Sequence, residues 1–209
     1  MYSSCPYSLD DERIKGSCLK NTYEKIINAA VCVWNEDYSA PLKSIAKEAG
    51  ISRMTLHRHF CGRDAILLAI VEDFIEKIVL VLNQAEKGQD EPIQQMEYLV
   101  KNTHRLVEDY NFLFDLFEQK GRPEDAAERF KRFEDLFEAF FISIQSQGVI
   151  KSKIDFKWAN ALFEGVMKSG FRMKQKGFDK NLDLAEMIWE AYRSAIFTPQ
   201  AIAPYDTPL

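Results

Sequence analysis

Residues 42–60 read LKSIAKEAGISRMTLHRHF. Leu42, Ile45, Ala46 and Ala49 recur at helical spacing and make one apolar stripe. Gly50 follows, the residue type that ends a helix in a left-handed conformation without a Cβ clash. Ile51 is apolar and can plug the turn, and Ser52 can accept a bond from a free backbone N–H as the N-cap of a second helix. That helix is expected from Arg53 to Phe60. Leu56 and Phe60 lie four apart and point into a core. Met54, Thr55 and Arg58 face away from them, with Arg53, His57 and His59 on the flanks.

Two short helices joined by a tight glycine turn form a helix-turn-helix, in which the second helix enters the DNA major groove and the first crosses the backbone. The charge pattern fits this. The whole chain carries a formal charge of −5, which argues against a surface that coats nucleic acid or anionic membrane. Between Lys43 and Arg63, however, five cations meet one acid, a local net of +4 that leaves −9 elsewhere.

Working outward, the pattern is helical almost throughout the 209 residues. Residues 1–18 read as a mobile arm. A first helix over 21–35 buries Ile27, Ala30, Val31 and Trp34, and Pro41 suits the first position of the next. Asp64 opens a long helix with Ile66, Ile70, Phe74, Ile78 and Val81 on one face. The polar stretch 86–92 marks a domain boundary, and further helices are expected at 92–109, 111–119, 123–147, 156–176 and 183–197. The expected organisation is all-α: a mobile arm at 1–18, a DNA-binding domain at 19–64, a connecting helix at 64–86, a second helical domain at 87–197, and a flexible, proline-rich tail at 198–209.

Residues 42–74 resemble the DNA-binding domain of the tetracycline-repressor (TetR) family. The family pattern is matched at Ile45, Ala46, Ala49, Gly50, Ile51, Ser52, Thr55, Leu56, His59, Phe60 and Leu67. The resemblance implies roles position by position. Lys43 and Ser52 fall at the DNA-facing ends of the two helices, and Arg53, Met54 and Thr55 fall where bases or nearby backbone are met. An arginine at 53 can donate two bonds to guanine, and Met54 can pack on a thymine methyl. His57 takes the place of a phosphate-binding tyrosine. Arg58, His59 and Arg63 are further candidates for DNA contact. Pro41 stands where the family often has a threonine cap.

The resemblance also implies a homodimer, built by the helices at 156–176 and 183–197. Trp158, Leu162, Phe163, Val166, Met187, Ile188, Ala191 and Tyr192 supply apolar faces, and Gly165 and Gly170 allow close approach. It implies a pocket in the middle helices for a small, largely apolar effector. The candidate lining is Phe112, Phe114, Phe117, Phe133, Phe137 and Phe163, drawn from the aromatic-rich middle of the chain and the helix at 156–176. Asp115, Glu118 and Glu164 read as solvated or capping acids. The expected function is a ligand-responsive DNA-binding repressor that leaves a palindromic operator when the effector binds. The alternatives are an activator, or a helical binding protein that has lost operator recognition.

Other chemistries find little footing. The four cysteines form no C-x-x-C pair, and the i, i+2, i+4 spacing of His57, His59 and Cys61 puts His59 off the shared face, so neither a metal nor another cofactor is expected. No G-x-S-x-G, H-E-x-x-H or phosphate-loop string occurs, so no catalytic residue is assigned. No apolar run approaches the roughly 20 residues of a membrane span. A reduced cytoplasmic compartment fits the cysteines best.

Overall fold

Apolar periodicity becomes helix at nearly every place it occurs. The computed structural model describes residues 16–121, 124–177 and 183–205. The expected arm falls largely outside the described residues, as does Pro123, the first residue of the helix expected over 123–147. The helices are α1 (Gly16–Glu36), α2 (Leu42–Glu48), α3 (Arg53–His59), α4 (Arg63–Gly88), α5 (Pro92–Asp109), α6 (Asn111–Lys120), α7 (Glu124–Gln145), α8 (Phe156–Gln175), α9 (Leu184–Ile196) and α10 (Pro199–Ile202). No helix among the described residues is long and apolar enough to cross a membrane. The chain divides into two units, one ending at Glu72 and the other beginning at Asp73, so the division falls inside α4.

In the first unit, α1 packs on α2 and α2 on α3. Its interior is Ile26, Ile27, Ala30, Trp34, Ile45, Ala46, Leu56, Ile66 and Ile70, all buried. Val31, expected on the inner face of α1, is only half-buried, and Ile26 is fully buried instead. Pro41 precedes the first helical residue of α2 as its N-cap and makes no side-chain cap bond.

In the second unit, α5 lies against α8 and α9, which also pack on each other, and α7 packs on α8. The polar stretch 86–92, expected as a domain boundary, instead runs from the last turn of α4 to the start of α5 within this unit, since the division falls at Glu72 and Asp73. Pro92 sits in the first turn of α5, where its missing N–H has no partner to lose. The buried face of α5 is Ile93, Met96, Leu99, Val100, Thr103, His104 and Val107. Lys101 ties α5 to α9 by pairing with Glu186 as well as with Glu97. Gly170 lets α8 come close to both neighbours: a Cβ there would lie 2.3 Å from Ile188 Cδ1 and 2.9 Å from His104 Nε2. Its close approach is therefore made inside the chain and not across a dimer.

Residues 198–205 are more ordered than their prolines suggest. Lys151 N–H donates to the Ile196 carbonyl at 2.9 Å and Thr198 N–H to that of Val149 at 2.9 Å, tying the α7–α8 connection to the end of α9. The Thr198 hydroxyl accepts the Ala201 N–H at 3.3 Å, and Pro199 starts α10. A 3₁₀ turn, Ala203–Tyr205, follows where a flexible tail is expected from 198.

Candidate nucleic-acid interface

The reading head is assembled by the turn between α2 and α3. Gly50 takes φ 66°, and two bonds close the helix, from Gly50 N–H to the Lys47 carbonyl (3.1 Å) and from Ile51 N–H to that of Ala46 (3.0 Å). Ser52 then caps α3, its hydroxyl accepting the Thr55 N–H at 3.0 Å and lying 2.9 Å from the Thr55 hydroxyl. Both hydroxyls are engaged with each other, which makes Ser52 a local organiser of the helix start.

Leu56 and Phe60 seat the helix. Leu56 is 1% exposed and Phe60 5%. The Phe60 ring stacks on Tyr23 with centroids 5.1 Å apart. Phe60 itself has extended backbone, so α3 ends at His59, one residue earlier than its periodicity suggests. The opposite side is open. Met54 is 83% exposed, and Arg53, His57 and Arg58 are exposed beside it. Lys43 joins them across the turn. A concavity of about 230 Å³ is lined by Pro41, Leu42, Lys43, Arg53, Leu56 and His57, which brings two cations and an imidazole from two helices around one hollow.

Two residues expected at DNA turn inward. His59 is half-buried, and its Nε2 is buried without a hydrogen-bond partner. Burial first, and the Arg58 charge second, hold its pKa below the usual imidazole value. Arg63 does not stand open at the start of α4. Its Nη1 donates to the Ala40 carbonyl at 2.8 Å, and its guanidinium lies 4.4 Å from the Trp34 ring centroid and 4.3 Å from that of Tyr38. Its Nη2 is buried with no partner. In this arrangement Arg63 holds the end of α1 and the following loop to the start of α4, and its charge is directed into the fold and away from a phosphate.

The second unit contains a cavity of about 210 Å³. Four of the six expected phenylalanines line it: Phe114, Phe117, Phe133 and Phe163. Phe112 is buried away from it. Phe137 stands behind the wall, its ring 5.8 Å from Phe133 and 5.0 Å from Phe163. The remaining rings come from Phe74, Phe130 and Phe171, joined by Ile78, Val107 and Met167. Phe130 stands on α7, in the aromatic-rich middle of the chain. Phe74 stands on α4 and Phe171 on α8, outside the aromatic-rich middle. The polar lining is Thr103, Glu134, Asn160, Glu164 and Lys168. Glu164, read from sequence as a solvated acid, is therefore at the cavity as well as exposed. Beside the cavity wall, Tyr110 donates to Asp73, and Lys77 Nζ lies 2.9 Å from the same carboxylate. Burial, and then the Asp73 bond and charge, push the Tyr110 phenol far above its ordinary pKa.

Residues 26–70, which span this reading head, match the family described as bacterial regulatory proteins, tetR family. The HTH-type transcriptional regulator NfxB of Pseudomonas aeruginosa is 30% identical over 137 residues, covering 63% of this chain and 71% of NfxB. The fold is similar to that of the TetR-like transcriptional regulator LfrR from Mycobacterium smegmatis, solved in complex with proflavine, with a TM-score of 0.67 and 19% identity over 87% of this chain and 99% of that one. It is similar also to the transcriptional regulator FadR from Bacillus subtilis, solved in complex with stearoyl-CoA, with a TM-score of 0.66 and 18% identity over 82% of this chain and 96% of that one.

Proposed function

This chain belongs to the tetR family of bacterial regulatory proteins, and we propose that it is a homodimeric repressor whose α3 reads a palindromic operator and whose cavity takes a small-molecule effector. One observation carries the DNA-reading part: α3 is anchored by Leu56 and Phe60 and presents Arg53, Met54, His57 and Arg58 to solvent, with Met54 83% exposed. An exposed methionine flanked by cations on a short helix suits a partner that offers both apolar and anionic surface. A duplex groove supplies one, with guanine edges for Arg53, a thymine methyl for Met54 and phosphates for Lys43, His57 and Arg58. Thr55 stands at the edge of this face and Ser52 at its start. His59 and Arg63 support it from behind.

The homodimer is proposed on the outward side of α8 and α9. Trp158 is 57% exposed and Met187 49%, with Ala161, Gly165 and Ala191 also exposed. Nothing lies within 4 Å of a Cβ placed at Gly165, so this stretch of α8 is open to a second copy. Phe163, Ile188 and Tyr192, expected on the same faces, are buried within the chain and support the helices from inside. Two copies would present two α3 helices to successive major grooves, about 34–36 Å apart.

The effector part rests on the aromatic cavity and on the lone α4, which begins at Arg63 and carries Phe74 and Ile78 at the cavity. A ligand shifts the DNA-binding equilibrium only by its differential affinity for the two states. A ligand that favours an α4 position unsuited to the operator spacing releases DNA. LfrR with proflavine and FadR with stearoyl-CoA show that related folds admit different ligand chemistries, so the fold does not name the effector.

The test is a gel shift with DNA flanking the gene, at several salt concentrations. Sequence-selective binding that weakens steeply with salt is expected. Equal and feeble binding to every duplex would instead support a protein that has lost operator recognition.

A further inference from the structure

The chain has three histidines, and the fold places each differently. His104 is 2% exposed in the second unit. His59 is half-buried, with its Nε2 inside the fold. His57 alone is exposed, on the open side of α3. An imidazole is the side chain that ordinarily changes charge near neutrality, so its placement decides what a change of pH does. At His59 a proton works against burial. At His57 it adds a positive charge to the surface that α3 presents.

That charge falls in a defined place. The hollow of about 230 Å³ between α2 and α3 is lined by Lys43 from α2 and by Arg53 and His57 from α3, over the apolar Pro41, Leu42 and Leu56. It is several times the roughly 30 Å³ of one water, room for a phosphate group with its attendant water. Among the described residues no acid lines it, and the next residue after His57 on α3 is another cation, Arg58. The lysine and the arginines stay charged across the neutral range, so His57 is the adjustable member of the group. An anion seated beside the ring favours its charged form and gains a charge-assisted hydrogen bond from it.

We infer that DNA binding by this chain is coupled to proton uptake at His57. A backbone phosphate sits in the hollow against Lys43 and the imidazolium of His57, which takes its proton from solvent, and Arg53 is left to the base edge. Acidification therefore tightens the grip on DNA at the reading head itself, with no effector needed. The inference rests on the reading of α3 as the DNA-contacting helix. Because a phosphate contact carries no sequence information, operator and scrambled duplexes share the effect.

The test is fluorescence anisotropy of two labelled duplexes, DNA flanking the gene and a scrambled version of it. Each is titrated in phosphate-free buffer at several salt concentrations, at about pH 6 and about pH 8, the range over which histidine titrates. Circular dichroism checks that each protein is folded at both. The parent should bind both duplexes about fivefold more tightly at the lower pH for each His57 engaged, the change that follows when the phosphate prefers the charged ring about tenfold. Its salt slope should steepen by up to about 0.9 for each. His57→Gln should lose both responses, since an amide donates a hydrogen bond but takes up no proton. His57→Lys, a fixed cation, should lose the pH response and show the steeper slope at both pH values. His59→Gln should keep the response. Affinity and salt slope of the parent that ignore pH, or a response that survives in His57→Gln, overturn the inference. A preference for the flanking DNA in that case leaves the repressor proposal standing. No binding to either duplex at either pH overturns both.

Discussion

Replacing Arg63 with alanine separates a structural role from a DNA-contact role. The side chain makes a charged bond of 2.8 Å to the Ala40 carbonyl, of a type that contributes about 1.5–3 kcal/mol. It also lies 4.4 and 4.3 Å from two aromatic ring centroids, contacts of about 0.5–1 kcal/mol each. Against these stands the buried, unpartnered Nη2, a penalty of about 1–3 kcal/mol that the substitution relieves. The balance is a loss of about 1–3 kcal/mol from the first unit. Lysine recovers only part of it, because an ammonium cannot stack as a plane between Trp34 and Tyr38. Urea unfolding measures the loss when Trp158 and Trp189 are first changed to phenylalanine, leaving Trp34, which is 1% exposed and beside Arg63, as the only tryptophan reporter. The unfolding midpoint should drop, while the salt slope of DNA binding in the folded variant stays unchanged. Stability within about 0.5 kcal/mol of the parent, together with uniformly weaker DNA binding and a salt slope shallower by about one, would refute this reasoning and return Arg63 to the phosphates.

Gly170→Ala should destabilise the second unit by about 1–3 kcal/mol in thermal unfolding, because its Cβ would lie 2.3 Å from Ile188 Cδ1. Gly165→Ala meets nothing within 4 Å and should gain about 0.5–1 kcal/mol of helix stability in the monomer, while sedimentation shows a weaker dimer. Thr103→Val should leave the unliganded protein as stable or more stable by about 1 kcal/mol, since it removes a buried hydroxyl that has no partner. The depressed pKa of His59 means that protonation favours the unfolded chain, so the stabilisation is full above the ordinary value of about 6.5 and is lost as pH falls through the lower folded value. Unfolding midpoints measured across that window should fall more for the parent than for His59→Gln.

The helices were legible because their apolar residues keep a 3.6-residue period and their ends carry marked residues. Ser52 caps α3, Gly50 closes α2 in a left-handed conformation, and Pro92 opens α5. The open side of α3 followed from the same geometry, since anchoring Leu56 and Phe60 decides where Met54 and Arg58 point. What lay hidden depends on residues distant in sequence. Arg63 turns inward because Trp34, Tyr38 and Ala40, more than twenty positions earlier, form a socket for it. Phenylalanines at helical spacing look alike on paper, and only packing separates Phe137, behind the wall, from Phe133, on it. Gly165 and Gly170 are equally small, but one faces open space and the other faces Ile188 and His104. The turns after Ile196 carry too few residues for a periodicity to show.

The most direct measurement is fluorescence anisotropy of an operator duplex and a scrambled duplex, each titrated at several salt concentrations with the parent and with Arg53→Ala. The parent should prefer the operator by about a thousandfold or more, and Arg53→Ala should lose about 1–3 kcal/mol of that preference at one base position with little change on the scrambled duplex. Identical operator preference in the two proteins would contradict the placement of α3 in the groove.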